Sequence, residues 1–160
     1  MSESFEVRAI GVVRSDRDAA IDDDWDATSA RIELDGAEVD IEATAGLETF
    51  SHIEVVFVFD RVDPDAVCRG ARHPRGNPDW PSVGILAQRA KDRPNRLGLT
   101  ICRVTSVDGL TIEVSGLDAI DGTPVLDIKP HLSGFEPRGQ VVEPQWASEL
   151  MAGYWEASTS

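Results

Sequence analysis

The sequence predicts an all-β fold, an antiparallel β-barrel with long loops and a short C-terminal helix. Seven or eight short stretches are rich in β-branched or alternating apolar residues, and no strand–helix–strand rhythm connects them. Helical spacing is confined to the last part of the chain. A β-sandwich fits the same pattern, whereas no G-x-G-x-x-G motif follows a strand to indicate a Rossmann nucleotide site.

The first half of the chain contains four predicted strands. The segment from Phe5 alternates apolar and polar residues, and Asp35-Gly36 is a typical hairpin turn between the next two segments. The fourth segment is almost entirely apolar, which predicts a central strand buried on both faces. The predicted strands cover residues 5–13, 30–34, 39–43 and 53–59, with a single helical turn at 46–51.

The second half combines long polar loops with three predicted strands. Residues 63–81 contain four of the nine prolines and form a long loop. Residues 116–130 form a second polar loop with one short apolar segment, Val125-Leu126. Apolar residues at helical spacing predict a helix over about 143–155. The predicted strands cover residues 83–87, 97–107 and 110–114, the last two joined by a turn at Asp108-Gly109.

The size and composition of the chain favour one folded domain over residues 1–160. Its longest apolar run, residues 55–59, is too short to cross a membrane, and no signal sequence is evident, so we expect a cytoplasmic protein without a membrane partner. Cys68 and Cys102 are expected to be reduced thiols, with a disulfide between them left open. Three scattered histidines predict no metal site.

The chain is strongly acidic, with 29 acids against 15 bases and a net charge of −14. Only two of the bases are lysines, Lys91 and Lys129, and many acids are aspartates in predicted loops, as at 22–24. An acidic, lysine-poor surface keeps a protein soluble in concentrated salt, so we interpret the composition as halophilic adaptation. An acidic partner-binding face is the alternative.

Positive charge is concentrated between Arg61 and Arg103, where nine bases stand against four acids and the net charge is +5. This segregation predicts that an anionic ligand binds at one place. Within the segment, Arg93-Pro94-Asn95 forms a rigid corner between two predicted strands, because proline fixes its own φ and restricts the residue before it. Such corners often carry function, and a basic surface turn is the alternative of equal weight.

A second candidate segment covers residues 115–130. Its glycines let the backbone approach a ligand closely, and Asp118 and Asp121 offer carboxylates to hydroxyl groups or a cation. Structural explanations are open as well, because Asp121 belongs to an Asp-Gly turn sequence and Asp127 can form an ordinary ion pair with Lys129.

Five motifs resemble, in order and spacing, the TsaA/TrmO-like family. The resemblance covers about residues 8–130, and the closing helix from Trp146 to Trp155 is similar to that of archaeal members. Each motif is weak by itself, but five in register are specific. The motifs are IGVVRS at 10–15, GLExFSH at 46–52, RHPRG at 72–76, RPNxLG at 93–98 and LDxxDGTPVxDIKP at 117–130.

The resemblance implies a homodimeric β-barrel methyltransferase that uses S-adenosylmethionine and has no Rossmann domain. It implies tRNA as the substrate, methylated on the exocyclic amine of threonylcarbamoyl-adenosine next to the anticodon. That nitrogen bears a carbonyl group, so its lone pair is delocalised and the enzyme must help to remove a proton and hold donor and acceptor in line. A cationic sulfonium donor favours a nearby carboxylate or carbonyl group.

The resemblance also implies roles for individual residues. The candidate catalytic residues are Asp118, Asp121 and Arg93, with either aspartate a candidate general base. The expected cofactor-binding residues are Asp60, Arg61, Arg89, Leu99, Ser115, Gly116, Leu117 and Asp118. The expected substrate-binding residues are Arg93, Asn95, Lys129, Arg72 and Arg75.

The chain departs from the family pattern in two places. Arg96 stands where many relatives have proline, and the acidic segment 16–26 stands where many have a Pro/Arg/Gln-rich cofactor loop. The resemblance therefore gives this segment no cofactor role, and an acidic loop here is expected to alter RNA affinity or substrate choice. Two other functions stay open: a methyltransferase of this fold with another RNA or small-molecule acceptor, and a non-catalytic barrel that binds S-adenosylmethionine or RNA.

Overall fold

A computed structural model describes residues 2–156 and contains eight strands and one short α-helix. In chain order they are β1 Gly11–Ser15, β2 Ser29–Leu34, β3 His52–Val58, β4 Ala71–Arg72, β5 Val83–Gly84, β6 Leu97–Asp108, β7 Thr111–Ser115, β8 Pro124–Pro130 and α1 Gln145–Met151. Six strands close an antiparallel barrel in the order β1-β2-β7-β6-β3-β8, while β4 and β5 pair with each other. The predicted β-barrel is confirmed.

The barrel closes through β8, which the sequence analysis wrongly placed in a polar loop. β8 pairs with β3 along most of its length and with the beginning of β1, where Gly11 is opposite Val125. Val125 is fully buried, whereas Asp127 and Lys129 are partly exposed and form an ion pair of 2.9 Å. Only one face of β8 is buried, and because the other face carries polar residues, the sequence did not indicate a strand here.

The core fills the interior of the barrel with alternate residues of its strands. In β3, Ile53, Val55 and Phe57 are buried, while the residues between them are only half-buried. The prediction that this strand is central is confirmed, because β6 and β8 pair with its two edges, but the prediction that both its faces are buried is wrong. The other buried core residues are Val13, Ala30, Ile32, Cys102, Ile112, Val114, Leu117, Ala119 and Val125.

Two strands predicted near the N-terminus are wrong in their extent. The first begins only at Gly11: Ile10 still makes backbone hydrogen bonds with Val125 and Asp35, but Phe5 at the predicted start is 80% exposed. The segment 39–43 forms no strand: β2 already has β1 and β7 at its edges, so no edge remains for it. Instead, Ile41–Thr44 is a single 3-10 turn.

Elsewhere the predicted boundaries are close to those observed. The segments 30–34, 97–107 and 110–114 are confirmed as β2, β6 and β7, and a helical turn lies at Leu47–Thr49. The predicted strand 83–87 is reduced to the two residues of β5, because Ile85–Ala87 turns as a 3-10 helix. The predicted C-terminal helix is shorter than expected, and it ends at Met151.

Cys68 and Cys102 are both free thiols. Among residues 2–156, no helix is long and apolar enough to span a membrane.

Gly98 of β6 is required for the packing of the core. It lies directly opposite Phe57 of β3, whose ring occupies the space that a side chain at position 98 would need. Phe57, the largest fully buried side chain, therefore lies next to a position that has no Cβ atom. Over-packing of a filled core costs stability because neither the ring nor the backbone can move without losing other contacts.

We predict that Gly98→Ala lowers the free energy of unfolding by about 1–3 kcal/mol, because the added methyl group overlaps the Phe57 ring. Urea denaturation measures the change. Gly84→Ala is the matched control, since no atom lies within 4 Å of the added carbon at that exposed glycine. Equal stability of the Gly98→Ala variant and the wild type would contradict this account of the core.

Candidate functional site

Asp118 is the centre of a polar cluster just beyond the end of β7. Gly116, with φ of 74°, turns the chain after β7, and Leu117 enters the core with no exposed surface. The carboxylate of Asp118 then accepts one hydrogen bond on each oxygen, from the hydroxyl of Thr100 and from the hydroxyl of Tyr154. Three distant parts of the chain thus meet at one carboxylate.

The hydroxyl donors around Asp118 are held in their neutral form. Burial raises the pKa of Tyr154 above its ordinary value, and the charge of Asp118 raises it further, while Arg89 and Arg75 oppose the shift. Burial, with a contribution from Asp118, also raises the pKa of Cys102 to about 12. At neutral pH, Asp118 therefore accepts its two hydrogen bonds from a protonated phenol and a threonine hydroxyl.

Arg89 and Leu99 lie next to this cluster. The guanidinium of Arg89 donates a hydrogen bond to the backbone carbonyl of Leu99, the residue before Thr100 in β6. The Leu99 side chain points outward and is 45% exposed, so only its backbone belongs to the cluster. Of the predicted cofactor-binding residues, the structure therefore brings together Asp118, its neighbours 115–117, Arg89 and the backbone of Leu99.

Asp121 and Arg61 form a separate group facing β1. Arg61 donates hydrogen bonds to the backbone carbonyls of Asp18, at 3.0 Å, and of Asp121, at 2.9 Å. The carboxylate of Asp121 accepts a hydrogen bond of 3.1 Å from the backbone N–H of Ser15. Asp60 is exposed at the end of β3. The carboxylates of the two candidate general bases, Asp118 and Asp121, thus have different hydrogen-bond partners.

Arg93 and Arg72 form a third group, centred on the buried Gln88. The Arg93 guanidinium donates to the Gln88 carbonyl at 2.6 Å, and the Gln88 amide donates to the Arg72 carbonyl at 3.0 Å. Arg72 also makes a bidentate ion pair with Asp92. Asn95 is exposed, with a left-handed φ of 64°, which makes the predicted rigid corner a real turn.

The acidic segment 16–26 is an ordered part of this region. The Arg17 guanidinium lies 3.6 Å from the centre of the Trp25 ring and donates to the carbonyls of Ile21 and Asp23, each at 2.7 Å. Arg75, a predicted substrate-binding residue, makes an ion pair of 3.1 Å with Asp23. The segment therefore neutralises one of the cations that the sequence analysis assigned to the substrate.

The C-terminal segment is bound to the same acidic segment. The backbone N–H groups of Trp25 and Asp26 donate to the carbonyls of Tyr154, at 3.1 Å, and Trp155, at 3.0 Å. Within α1, Glu149 accepts a hydrogen bond of 2.8 Å from the Trp80 indole. These contacts place the Tyr154 hydroxyl at Asp118.

Most cations of the basic segment are occupied by contacts within the protein. The side chains of six of the nine bases between Arg61 and Arg103 donate to backbone carbonyls or carboxylates, and the side chains of the other three have no hydrogen bond or ion pair among residues 2–156. The three are Arg69, Lys91 and Arg103. The segments that carry Arg69 and Lys91 are joined by a backbone hydrogen bond of 2.8 Å from the N–H of Cys68 to the carbonyl of Asp92.

Four residues of this region were not predicted from the sequence: Thr100, Tyr154, Arg17 and Trp25. Thr100 had a detectable signal, since it is a polar residue at an inward position of the alternating strand β6. Tyr154 is the only tyrosine in the chain, but it lies in the segment predicted only as a helix, and no motif includes it. No local pattern linked Arg17 to Trp25. A cleft of about 500 Å³ beside them is lined by Ser15, Asp16, Arg17, Asp18, Ala19, Ile21, Ala27, Thr28 and Ser29, none of which is a predicted site residue.

The fold and these contacts define a class, a small closed β-barrel with a carboxylate-centred polar site beyond the end of β7. The family model for the tRNA-methyltransferase O N-terminal domain matches residues 18–136. The chain belongs to this family, which confirms the resemblance inferred from the five motifs. The matched region contains all the predicted site residues, whereas α1 and Tyr154 lie beyond it.

Curated relatives and a solved structure agree with this assignment. The chain is 39% identical over 99 residues to the human tRNA (adenine(37)-N6)-methyltransferase, covering 62% of this chain and 22% of the relative. It is 34% identical to a probable S-adenosyl-L-methionine-binding protein of Methanothermobacter thermautotrophicus, covering 83% of this chain and 94% of the relative. A crystal structure of TrmO from Pseudomonas aeruginosa superposes with a TM-score of 0.73 at 27% identity, covering 91% of this chain and 63% of that one. The match thus spans about a fifth of the human relative.

Proposed function

We propose that this chain is an S-adenosylmethionine-dependent methyltransferase that acts on the exocyclic amine of adenosine 37 of tRNA, next to the anticodon. The observation that carries the proposal is the family match over residues 18–136, together with relatives named as methyltransferases of that amine. In keeping with the motif resemblance, we take the acceptor to be the threonylcarbamoyl form of this adenosine. A tRNA substrate also favours the cytoplasm as the location.

The reaction sets clear requirements for the protein. S-adenosylmethionine supplies a methyl group on a positively charged sulfur; the carbon–sulfur bond breaks, its electron pair goes to sulfur, and a carbon–nitrogen bond forms. The amine must also lose a proton, for which the carboxylates of Asp118 and Asp121 are the candidate acceptors. A protein site for this reaction needs a fixed negative group near the cation and a means of excluding water.

Asp118 fits the first requirement better than the other candidates. It is half-buried, and each of its oxygens is oriented by a neutral hydroxyl group, from Thr100 and Tyr154. We propose that Asp118 and the adjacent carbonyl groups, including that of Leu99, face the cofactor, with residues 115–117 and Arg89 supporting them. No rearrangement is needed to create this charge, which is the condition for effective electrostatic stabilisation.

The other predicted residues receive supporting roles in the proposal. Asp121 and Arg61 hold the turn that carries Asp118, with Asp60 beside them, because their contacts are to backbone groups of neighbouring segments. Arg93, Arg72 and Arg75 are engaged within the protein, so we assign them to shaping the pocket. We assign contacts with the RNA to exposed Asn95, Arg69 and Lys91, and to Lys129, which is exposed although it makes an ion pair with Asp127.

We predict that Asp118→Asn lowers kcat for methyl transfer to tRNA by about 100-fold or more, because it removes the negative charge while keeping the shape of the side chain. The assay uses molar KCl, labelled S-adenosylmethionine and tRNA from a strain that lacks the gene, and mass spectrometry of the nucleosides identifies the product. Asp108→Asn makes the same chemical change at an exposed turn and is the matched control.

Two outcomes would contradict the proposal in different ways. Wild-type turnover in the Asp118→Asn variant would show that the site has been assigned wrongly. Cofactor binding by the wild type without any methylated adenosine would reject tRNA adenosine 37 as the acceptor, and it would favour another acceptor or a non-catalytic binding barrel.

We also propose that the protein is a homodimer that buries the outer face of β6. Leu97, Leu99 and Ile101 point outward from this strand and are 43%, 45% and 50% exposed. A row of three exposed aliphatic side chains next to a candidate site is typical of an interface with a partner. The motif resemblance indicates that the partner is a second copy.

Light scattering is expected to give twice the 17.4 kDa chain mass for the wild type and the single mass for Ile101→Glu at the same concentration, because the new charge would be buried without a partner. Val7→Glu is the control; it changes an exposed valine before β1, the strand opposite β6 in the barrel. A monomeric wild type would reject the homodimer.

The acidic surface supports a further proposal, that the protein is adapted to concentrated salt. Raising KCl from about 0.1 M to about 2 M should screen the repulsion within a chain of net charge −14 and raise Tm by about 5 °C or more. Differential scanning calorimetry tests this expectation. A constant or falling Tm would contradict it.

A further inference from the structure

The side chain of Tyr154 connects the C-terminal segment to the candidate site. Tyr154 follows α1 and donates its hydroxyl hydrogen to one oxygen of Asp118, while Thr100 donates to the other. Its ring packs edge-to-face against Trp155, with the ring centres 4.9 Å apart. This residue lies beyond residues 18–136, the region that defines the family.

Tyr154 is held in this place from several directions. Its carbonyl accepts a hydrogen bond from the Trp25 N–H, and the next carbonyl, of Trp155, accepts one from the Asp26 N–H. One helical turn earlier, α1 is joined to the Trp80 indole through Glu149. A hydroxyl fixed by this many contacts has a defined direction, and it costs little further entropy to hold its acceptor.

We propose that Tyr154 is a positioning residue for methyl transfer: its hydroxyl fixes the Asp118 carboxylate in the orientation that faces the cofactor. The inference rests on the proposed function. A carboxylate on a single-bonded side chain can rotate between several orientations, and one hydroxyl donor on each oxygen restricts it to one. The C-terminal segment is then a working part of the site in this chain.

The ring and the hydroxyl group of Tyr154 can be separated by two substitutions. Tyr154→Phe keeps the ring and removes only the donor, whereas Tyr154→Ala removes both. A positioning role predicts that the Phe variant already loses about 10-fold in kcat, with KM for tRNA unchanged. A packing role predicts wild-type kcat in the Phe variant and a loss only in the Ala variant, and that result would overturn the proposal.

A double-mutant cycle identifies the residue through which Tyr154 acts. If Tyr154 works only by orienting Asp118, Tyr154→Phe has no further effect on kcat in the Asp118→Asn background. Equal losses in both backgrounds would overturn the proposal. If the wild type transfers no methyl group at all, the proposed function fails instead, so the two failures are distinguishable.

A spectroscopic measurement tests the contact without any activity. Tyr154 is the only tyrosine, so the ultraviolet absorbance of tyrosinate reports on this residue alone. An ordinary tyrosine is about nine-tenths ionised one pH unit above its pKa of about 10. We expect little tyrosinate at about pH 11 in the folded wild type. Full ionisation there, with the far-ultraviolet circular dichroism unchanged, would overturn the contact with Asp118.

Discussion

Barrel closure depends on residues 117–130, and the same residues carry the candidate site. Leu117 and Ala119 are core residues, and β8 joins β1 to β3 a few residues later. Asp118 lies between the two core residues, so its backbone cannot shift without disturbing the barrel. Hydrogen bonds from the Gly122 N–H to the Val13 carbonyl, at 2.8 Å, and from the Val13 N–H to the Thr123 carbonyl, at 2.9 Å, fix the turn in between. The fold itself therefore positions the carboxylate.

Around this rigid segment, the arginines act mainly as internal connectors. Arg61, Arg89, Arg93 and Arg96 all donate to backbone carbonyls, which a guanidinium can do in fixed directions while it stays charged. The acidic segment 16–26 extends this network by binding Arg75 and the C-terminal segment. A segment in which the sequence departs from the family pattern is thus one of the connections between the barrel and the C-terminal segment.

Predictions from the sequence succeeded where the structure follows from neighbouring residues in the chain. The strands β2, β6 and β7 have clear alternation and good turns, and five short motifs were enough to identify the family. The strand β8 was not predicted because its outer face is polar. The segment 39–43 was wrongly predicted to be a strand, because the sequence does not reveal that β1 and β7 already pair with both edges of β2.

The site was harder to predict because its contacts are non-local. Tyr154 and Asp118 are 36 residues apart, and Arg61 and Asp18 are 43 apart. The sequence shows the net positive charge of the segment 61–103, but a charge count could not reveal that most of its cations bind carbonyls or carboxylates within the protein. Only the folded structure distinguishes an arginine that supports a turn from a cation that is available to a ligand.

A crystal structure of the protein with S-adenosylhomocysteine, the demethylated form of the cofactor, tests the central claim most directly. We predict that the ligand contacts Asp118 and the Leu99 carbonyl, with residues 115–117 and Arg89 supporting them and the Tyr154 hydroxyl still bonded to Asp118. A ligand bound instead in the cleft between residues 15–19 and 27–29, out of contact with Asp118, would contradict it.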